Sequence, residues 1–343
     1  MSVTFTRRRA MLFGAALATA PVVGARAQAE RVAIRLDWTP WGVQSPFHLA
    51  IAKGWYRAHG LDVTVEDGNG SVATVQIVGN GQFDAGHAAL APMMIARGRG
   101  MPVRGVAAFA RQNDIGLMVP EGSGLNRVQD LRGRRLAFTP GSLETPFLDR
   151  FLAAGGLTRA DVELLSVDAA AKTGMFVSGR ADGVFSSVPF LTATVRPQRP
   201  ASAIRFADLG LTFPSFGMIA TERAIRERAA TLRRLVSVTA GAWTYIMAGN
   251  ENEAVQAMVA ARPQARLNPA VLREQIDSIR GFMQTEATRG QPIGVMAHAD
   301  WAEAVRNLAG AGQIERAEPP EAYYTNDLLD PALIAAVAGG RVG

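Results

Sequence analysis

Residues 31–36 read RVAIRL and lead into the turn DWTP at residues 37–40. This apolar and β-branched run predicts a β-strand that ends at the aspartate. Residues 47–59 follow as a predicted helix, and residues 61–65, LDVTV, alternate apolar and polar side chains with the period of two that a second strand requires. A strand, a helix and a strand in this order are typical of α/β proteins.

The same pattern continues outward from this unit. Ser71 is predicted to be the N-cap of a helix, a second cluster of strands and helices spans residues 131–185, and the chain after a strand at residues 216–220 is predicted to be mostly helical. We therefore predict an α/β fold with two lobes, two crossovers between them, and a helical C-terminal region packed on lobe 1. The predicted boundaries are a signal peptide at 1–29, lobe 1 at 30–110 and 213–343, lobe 2 at 111–212, and crossovers near 109–114 and 211–215.

The first 29 residues have the pattern of an export signal. Three arginines at residues 7–9 precede an uncharged run at residues 10–25, and small residues at Ala27 and Ala29 fit a cleavage site. The run is too short, and too rich in Gly and Ala, for a membrane span of about 20 apolar residues. We expect export to the periplasm by the Tat or the Sec route, with cleavage after either alanine.

Composition excludes several classes of function. The formal net charge of +6 includes four arginines of the predicted signal, so the remainder carries +2 and has little attraction for nucleic acid. The sequence has no Cys, which removes thiolate nucleophiles, disulfides and cysteine metal sites. About 315 residues follow the signal, more than the roughly 250–300 at which one core stops growing, so two lobes are favoured. We predict a monomer that does not bind nucleic acid.

Sequence motifs of catalysis are absent. The chain has no G-x-x-x-x-G-K-[ST], G-x-S-x-G or H-E-x-x-H motif, and its four histidines do not share the spacing of metal ligands. We predict no catalytic residue, no metal and no cofactor.

Polar and aromatic residues instead follow the predicted strands. The carboxyl ends of strands line the ligand crevice of open α/β sheets, so groups from both lobes are expected to converge there. Helix openings at Ser71 and Ser142 would direct unpaired N–H groups at an anion or a polar ring edge, and Trp38 and Trp41 would sandwich a planar body. Helix capping, core packing and an ordinary hydrogen-bonded histidine are the alternative interpretations. The predicted ligand contacts are Trp38, Thr39, Trp41, Gln44, Asn69, Ser71, His87, Ser142, Glu144 and Ser186.

Short motifs are spread over nearly all of the chain after the signal. They are LDWTP at 36–40, AKGWY at 52–56 with GLDV at 60–63, G-x-G-S at 68–71, G-x-FDAG at 81–86, DLRGR at 130–134, FGMIATE at 216–222 and YTND at 324–327. Together they resemble the substrate-binding proteins of the nitrate/sulfonate/taurine and thiamine-pyrimidine-precursor type. The resemblance implies a type II periplasmic binding protein fold and an ABC transporter permease as partner.

The resemblance also implies a function. The chain is expected to be the periplasmic solute-binding component of an ABC importer, which closes about a hinge on a small organic solute of aromatic, heterocyclic or sulfonate-like type. The family's pyrimidine-synthesising enzymes carry a cysteine-rich segment that this chain lacks, so we predict that it is not an enzyme. A pyrimidine-precursor synthesising enzyme of the same fold and a sensory binding module are the alternatives.

Overall fold

The computed structural model describes residues 1–2 and 29–341. The predicted signal sequence at residues 3–28, including the cleavage position after Ala27, lies outside the described residues. None of the helices within residues 29–341 is long and apolar enough to cross a membrane.

The strands and helices alternate along the first two thirds of the chain. The strands are β1 (Glu30–Arg35), β2 (Leu61–Glu66), β3 (Ala85–Ala89), β4 (Val103–Ala108), β5 (Ile115–Pro120), β6 (Arg135–Phe138), β7 (Glu163–Ser166), β8 (Gly183–Ser187), β9 (Ala201–Arg205) and β10 (Phe216–Thr221). The helices are α1 (Ser45–Ala52), α2 (Trp55–Ala58), α3 (Ser71–Gly79), α4 (Leu90–Gly98), α5 (Leu148–Ala153), α6 (Ala169–Val177), α7 (Val188–Val195), α8 (Glu222–Glu227), α9 (Ala229–Tyr245), α10 (Glu251–Ala261), α11 (Pro269–Ile279), α12 (His298–Gly310) and α13 (Pro331–Ala338).

Two five-stranded sheets organise these elements. The first has the order β2-β1-β3-β10-β4, with β10 antiparallel to both of its neighbours. The second has the order β7-β6-β8-β5-β9, with β5 antiparallel to both of its neighbours. We call each sheet with its helices a lobe. The predicted two-lobed α/β fold is thus confirmed.

Two segments connect the sheets, residues 109–114 between β4 and β5 and residues 206–215 between β9 and β10. The Asn113 side-chain amide donates to the Leu211 carbonyl oxygen (2.5 Å), and the Ser215 N–H donates to the Ala110 carbonyl oxygen (2.9 Å). The two segments are therefore hydrogen-bonded to each other where the chain passes between lobes.

The helical C-terminal region packs on the first lobe, as predicted. Helix α9 contacts α1, α13, β2 and β4, and α10 contacts α1. Its residues Leu232, Leu235, Val236 and Trp243 are buried. Helix α11 also contacts α7 of the second lobe. Burial of these apolar stripes is what stabilises helices that have no sheet of their own.

Three sequence-based boundaries were wrong for local reasons. The helix predicted over residues 47–59 is divided into α1 and α2 because Gly54 adopts the left-handed conformation (φ 70°) that ends a helix. The helix predicted to open at Ser142 is preceded by a 3₁₀ turn at Thr145–Phe147, where Pro146 lacks an N–H group, and α5 begins only at Leu148. Gly70, not Ser71, occupies the N-cap position of α3.

Candidate functional site

A narrow cavity lies between the two lobes at the ends of their central strands. Its free volume is about 10 Å³, roughly the space that one water molecule requires. The cavity in this arrangement of the lobes has no room for a molecule larger than water. The lining residues are Asp37, Trp38, Trp41, Ser71 and Phe216 from the first lobe and Leu143, Ser186, Ser187 and Phe190 from the second.

Asp37, which follows β1, is the centre of a buried hydrogen-bond network on the first lobe. Its Oδ1 accepts from Gln44 Nε2 (3.1 Å) and lies 2.8 Å from His87 Nδ1, and its Oδ2 accepts from Trp41 Nε1 (3.3 Å). Because a carboxylate only accepts, His87 carries its proton on Nδ1. The carboxylate thus fixes three of the predicted contact residues in place.

Gln44 joins this network to the backbone of the same turn. Its Nε2 also donates to the Trp38 carbonyl oxygen (3.2 Å), and its Oε1 accepts from the Trp41 N–H (3.3 Å). The side chain is fully buried. Both ends of its amide are therefore used within the first lobe, and its observed role is to hold the turn that carries the two tryptophans.

His87 is enclosed by aromatic rings. Its imidazole stacks on Phe216 (centroids 5.5 Å apart, planes at 10°) and more distantly on Phe109, and Phe47 meets it edge-on. His87 does not line the cavity, from which Phe216 separates it. It supports Asp37 from behind.

Trp38 and Trp41 are buried at the lobe boundary, where both contact Phe190 of the second lobe. Their rings meet the Phe190 ring edge-on, with centroids 6.4 Å and 5.7 Å away. Edge-to-face aromatic pairs are favourable contacts. The two tryptophans therefore face the cavity and also hold the lobes together.

On the second lobe, Glu144 and Lys172 form an ion pair with no exposed side-chain surface. Lys172 Nζ lies 2.5 Å from Glu144 Oε1 and 5.2 Å from the centre of the Trp38 ring. Burial lowers the pKa of Lys172, and the attraction of Glu144 opposes that change. A cation so placed over an indole face adds a charge contact between lobes.

Several buried polar atoms beside this pair have no hydrogen-bond partner in the described part of the chain. They are Ser142 Oγ, Thr139 Oγ1, Glu144 Oε2 and, from the first lobe, Trp38 Nε1. Buried polar groups without partners are uncommon, and each one calls for a specific reason.

The amides that open α3 bond to the second lobe. The N–H groups of Val72 and Ala73 donate to the Gly141 carbonyl oxygen at 2.9 Å and 3.4 Å. The Ser71 hydroxyl is not a cap but accepts from the Ala89 N–H (3.0 Å). Close approach requires glycine at position 70, since a Cβ there would lie 2.3 Å from the Gly141 oxygen. The prediction that these amides are unpaired was wrong, because a carbonyl of the second lobe occupies them.

Two of the amides around Ser142 are also paired. The Ser142 N–H donates to the Thr139 carbonyl oxygen (3.2 Å), and the Thr145 N–H donates to the Ser142 carbonyl oxygen (3.2 Å). Ser142 lies in a turn before the 3₁₀ segment and does not open a helix. The second predicted helix opening is therefore also corrected.

Asp114 lies behind the site, at the end of the first connecting segment. Its carboxylate accepts from the hydroxyls of Ser187, at the end of β8, and of Ser215, in the second connecting segment. Burial raises the pKa of Asp114 to about 6, against the lowering effect of these two hydrogen bonds. One carboxylate thus ties both connecting segments to the floor of the cavity.

The ten predicted contact residues divide into groups. Trp38, Trp41, Ser71 and Ser186 line the cavity. Gln44 and His87 lie behind it. Ser142 and Glu144 do not line the cavity, but they are the sequence neighbours of Leu143, which does. Asn69 lines a separate outer cleft with Thr139 and Asp168, and Thr39 is partly exposed and lines neither space.

Sequence reasoning left out Asp37, Asp114, Lys172 and Phe190 as site residues. One signal was available for Lys172, since it is one of only two lysines in a chain whose other basic residues are arginines. Within the described residues, no group of three or more His, Asp or Glu side chains has the geometry of a metal site.

Residues 43–254 match the sequence profile described as NMT1/THI5 like. The chain belongs to the NMT1/THI5-like family. The family profile covers more than half of the sequence and every strand except β1, and the resemblance found in the motifs is thereby confirmed.

Curated relatives of this NMT1/THI5-like protein include both synthases and binding proteins. The 4-amino-5-hydroxymethyl-2-methylpyrimidine phosphate synthases of Saccharomyces cerevisiae are 27% identical over 110 residues, and the chain spans only about a third of their length (32%). The riboflavin-binding protein RibY of Chloroflexus aurantiacus is 23% identical, covering 92% of this chain and 90% of RibY. The formylaminopyrimidine-binding protein of Halalkalibacterium halodurans is 22% identical, covering 84% and 87%.

Solved structures share the fold. The alkanesulfonate-binding protein SsuA of Xanthomonas axonopodis pv. citri, bound to MOPS, superposes with a TM-score of 0.65 at 18% identity, covering 87% of this chain and 99% of SsuA. The NMT1/THI5-like chain therefore has the type II periplasmic binding protein fold, which is the fold of the solute-binding proteins of ABC importers.

Proposed function

We propose that this chain is the solute-binding component of an ABC importer and captures a small organic solute between its lobes. The observation that carries the proposal is the narrow cavity to which Trp38 and Trp41 of one lobe and Ser186 and Phe190 of the other contribute. Strand ends of two lobes that face a common space are the usual location of ligands in such folds.

The proposed mechanism is hinge closure. The lobes comprise residues 30–110 with 213–343 and residues 111–212, and the hinge comprises residues 109–114 and 211–215. The hydrogen bonds of Asp114 to Ser187 and Ser215 support this assignment, since they connect the hinge to the floor of the cavity. A solute that binds the closed arrangement more tightly shifts the population of the chain toward it.

An aromatic or heterocyclic solute fits the lining better than a small inorganic ion. Trp38, Trp41, Phe190 and Phe216 supply four aromatic rings around the cavity, and planar ligands stack on or abut such rings. Riboflavin and formylaminopyrimidine, named for two relatives, belong to this class. A sulfonate-like solute is the alternative class, named for SsuA.

The setting of this function is part of the proposal. The chain is exported to the periplasm by its N-terminal signal, acts there as a monomer, and presents its closed form to an ABC transporter permease. The two-lobed fold and the export pattern of residues 1–29 support this setting.

A solute screen tests the proposal. Purified protein without residues 1–29 is screened by thermal shift against riboflavin, aminopyrimidines, aromatic carboxylates and sulfonates. A true solute at 100 times its Kd adds about 2.7 kcal/mol to the free energy of unfolding. Small-angle X-ray scattering of the bound protein should show a smaller radius of gyration, and tight binding without compaction would contradict hinge closure.

The enzymatic alternative is tested separately. The match to the yeast synthases favours a synthase, although it covers only 32% of those chains. Mass spectrometry of the intact protein and of the small molecules in solution after incubation would reveal a synthase. We expect an unchanged protein mass and no pyrimidine product.

A further inference from the structure

A second cavity, which we call the hinge cavity, lies where the two segments connect the lobes. Its free volume is about 290 Å³, against about 10 Å³ for the narrow cavity between the strand ends, and the two share no lining residue. Residues 111–113 and 212–214 of the connecting segments line it, together with Arg205 of β9 and with Asp300 and Glu303 of α12. Small-molecule sites begin at about 300 Å³. The hinge cavity is therefore large enough for a small ligand of its own.

Arg111 of the first connecting segment brings a buried cation to the hinge cavity. Only 3% of the residue is exposed. Its Nη2 donates to the Pro292 carbonyl oxygen, whereas its Nε and Nη1 have no hydrogen-bond partner within residues 29–341. Burial lowers the pKa of Arg111 to about 10, and the charge of Asp300 opposes this change only in part. The guanidinium is thus charged at neutral pH and calls for an acceptor that the described part of the chain does not supply.

Two carboxylates of α12 line the same cavity. Asp300 Oδ2 accepts from the Thr285 hydroxyl (2.7 Å), and Glu303 Oε1 accepts from the Thr212 hydroxyl (2.7 Å). Both of these partners are neutral. Burial raises the pKa of Asp300, and the charge of Glu303 adds to this increase. A cationic group beside the two carboxylates would compensate their negative charge.

Aromatic side chains complete the lining. Phe213 and Phe282 border the hinge cavity, and the Phe213 ring stacks on Phe147 (centroids 4.7 Å apart), which fixes its position. The cavity thus combines a cation, two carboxylates and apolar surface. A molecule with a carboxylate, an ammonium group and an apolar portion matches all three. A simple anion would face the two carboxylates, and a simple amine would leave Arg111 uncompensated.

We infer that the hinge cavity is a second binding site, which takes an apolar α-amino acid. The carboxylate of the amino acid pairs with Arg111, its ammonium group pairs with Asp300 and Glu303, and its side chain packs on Phe213 and Phe282. This site is additional to the narrow cavity between the lobes and does not depend on the proposed transport function, because the two cavities have no residue in common.

Matched compounds test the ligand class. Purified protein without residues 1–29 is titrated by calorimetry with phenylalanine and leucine, with phenethylamine, which lacks the carboxylate, and with 3-phenylpropanoate, which lacks the ammonium group. We expect an amino acid to bind and the two singly charged compounds to bind at least about tenfold more weakly, since each loses one charge-assisted contact. Absence of binding by both amino acids, or equal binding of either singly charged compound, would overturn the inference and leave the importer function standing.

Hydrogen exchange locates the bound amino acid. Amide exchange in residues 205–214 and 282–286 should slow when phenylalanine is added, because both stretches line the hinge cavity. Binding that leaves the exchange of these amides unchanged places phenylalanine elsewhere and also overturns the inference. This measurement uses the original chain and needs no variant.

Two variants with matched controls complete the test. Arg111→Met removes the cation, and Ala207→Phe fills the cavity, which Ala207 also lines, so each should reduce the affinity for phenylalanine at least about tenfold. The control for the first is Arg104→Met, since Arg104 also donates to backbone carbonyl oxygens and burial lowers its pKa, but it does not line the cavity. The control for the second is Ala207→Ser, which leaves the cavity open.

Melting temperatures show which of these variants are folded. Unchanged affinity in a folded Arg111→Met or Ala207→Phe variant, or an equal loss in its control, would contradict the assignment of the site. If neither variant folds, the matched compounds and the exchange measurement decide.

Discussion

The two halves of the site differ in how their polar groups are satisfied. On the first lobe, both oxygens of Asp37 accept hydrogen bonds, from Trp41, Gln44 and His87, while His87 Nε2 and Trp38 Nε1 have no partner among the described residues. On the second lobe, Ser142 Oγ, Thr139 Oγ1 and one oxygen of Glu144 lack partners among the described residues.

The difference suggests a division of roles. A carboxylate whose two oxygens both have buried donors holds those donors rigidly, and through Trp41 and Gln44 it keeps the turn that carries the two tryptophans in a constant position. Groups without partners cost free energy in the chain alone and regain it on contact with a solute. Substitutions of groups that have buried partners should therefore reduce stability, and substitutions of groups without partners should mainly reduce binding.

The largest effect is expected from Asp37→Ala. This change leaves buried N–H donors of Trp41, Gln44 and His87 without an acceptor, and each costs about 1–3 kcal/mol. The free energy of unfolding, measured with urea, should fall by roughly 5 kcal/mol. Asp37→Asn keeps an acceptor oxygen, and its free energy of unfolding should fall by less than half of that amount. Equal losses in Asp37→Ala and Asp37→Asn would show that these hydrogen bonds are not the source of the stability.

Lys172→Met should have the next largest effect. It leaves the Glu144 carboxylate buried without its cation, and the loss of one partner from a buried pair costs roughly 3–4 kcal/mol. The double variant Glu144→Leu/Lys172→Met should recover stability to within about 1 kcal/mol of the original chain yet lose solute binding.

The surface pair of Lys53 and Glu253 is the control for this second prediction. Lys53→Met should change the free energy of unfolding by about 1 kcal/mol at most, because exposed ion pairs contribute little. A loss as large as that of Lys172→Met would mean that burial does not distinguish the two pairs.

Asp114→Asn should change the dependence of stability on pH. Burial raises the pKa of Asp114 from 3.8 to about 6, so the native chain keeps a proton between about pH 4 and pH 6 that the unfolded chain has released. The contribution of Asp114 to the free energy of unfolding is fully present below pH 4 and is lost as pH rises through 6. The total change is roughly 3 kcal/mol. The unfolding free energy of the variant minus that of the original chain should therefore increase by this amount from pH 4 to pH 7.

This difference measurement removes an opposing contribution from His48. Burial lowers the pKa of His48 to about 4. Between about pH 4 and pH 6.5 the histidine is therefore protonated in the unfolded chain but not in the native chain, and its contribution to the free energy of unfolding falls as pH falls. Both chains contain His48, and its effect cancels. A difference that does not vary with pH would mean that Asp114 is not protonated in the native chain.

The smallest effect on stability is expected from Ser142→Ala. Its hydroxyl has no partner within residues 29–341, so the free energy of unfolding should change by less than about 0.5 kcal/mol. Affinity for the solute should fall about tenfold, the value of one hydrogen bond. Ser187→Ala is the contrasting variant, since its hydroxyl bonds to Asp114 and its loss should reduce stability. Equal effects of the two variants on stability would mean that bonded and unbonded hydroxyls do not differ in their contribution to stability.

Sequence patterns were sufficient for the strands, the two lobes and four of the nine residues that line the cavity. Period-two alternation in residues 61–65 and the turn after residue 36 identify strand ends, and strand ends of α/β sheets face the crevice. Trp38, Trp41, Ser71 and Ser186 were predicted in this way and line the cavity. Their roles as ligand contacts stay predictions.

Only the tertiary structure decided how these positions are paired. Asp37 and His87 are 50 residues apart, Glu144 and Lys172 are 28 apart, and Gly141 meets the first turn of α3 from the other lobe. A local pattern specifies which residues face a boundary but not which atom across it will be the partner. For the same reason the amides that open α3 were predicted to be free and are instead bonded to Gly141. The sequence by itself determined where polar groups gather, and the packing of the lobes determined which of them remain available to a solute.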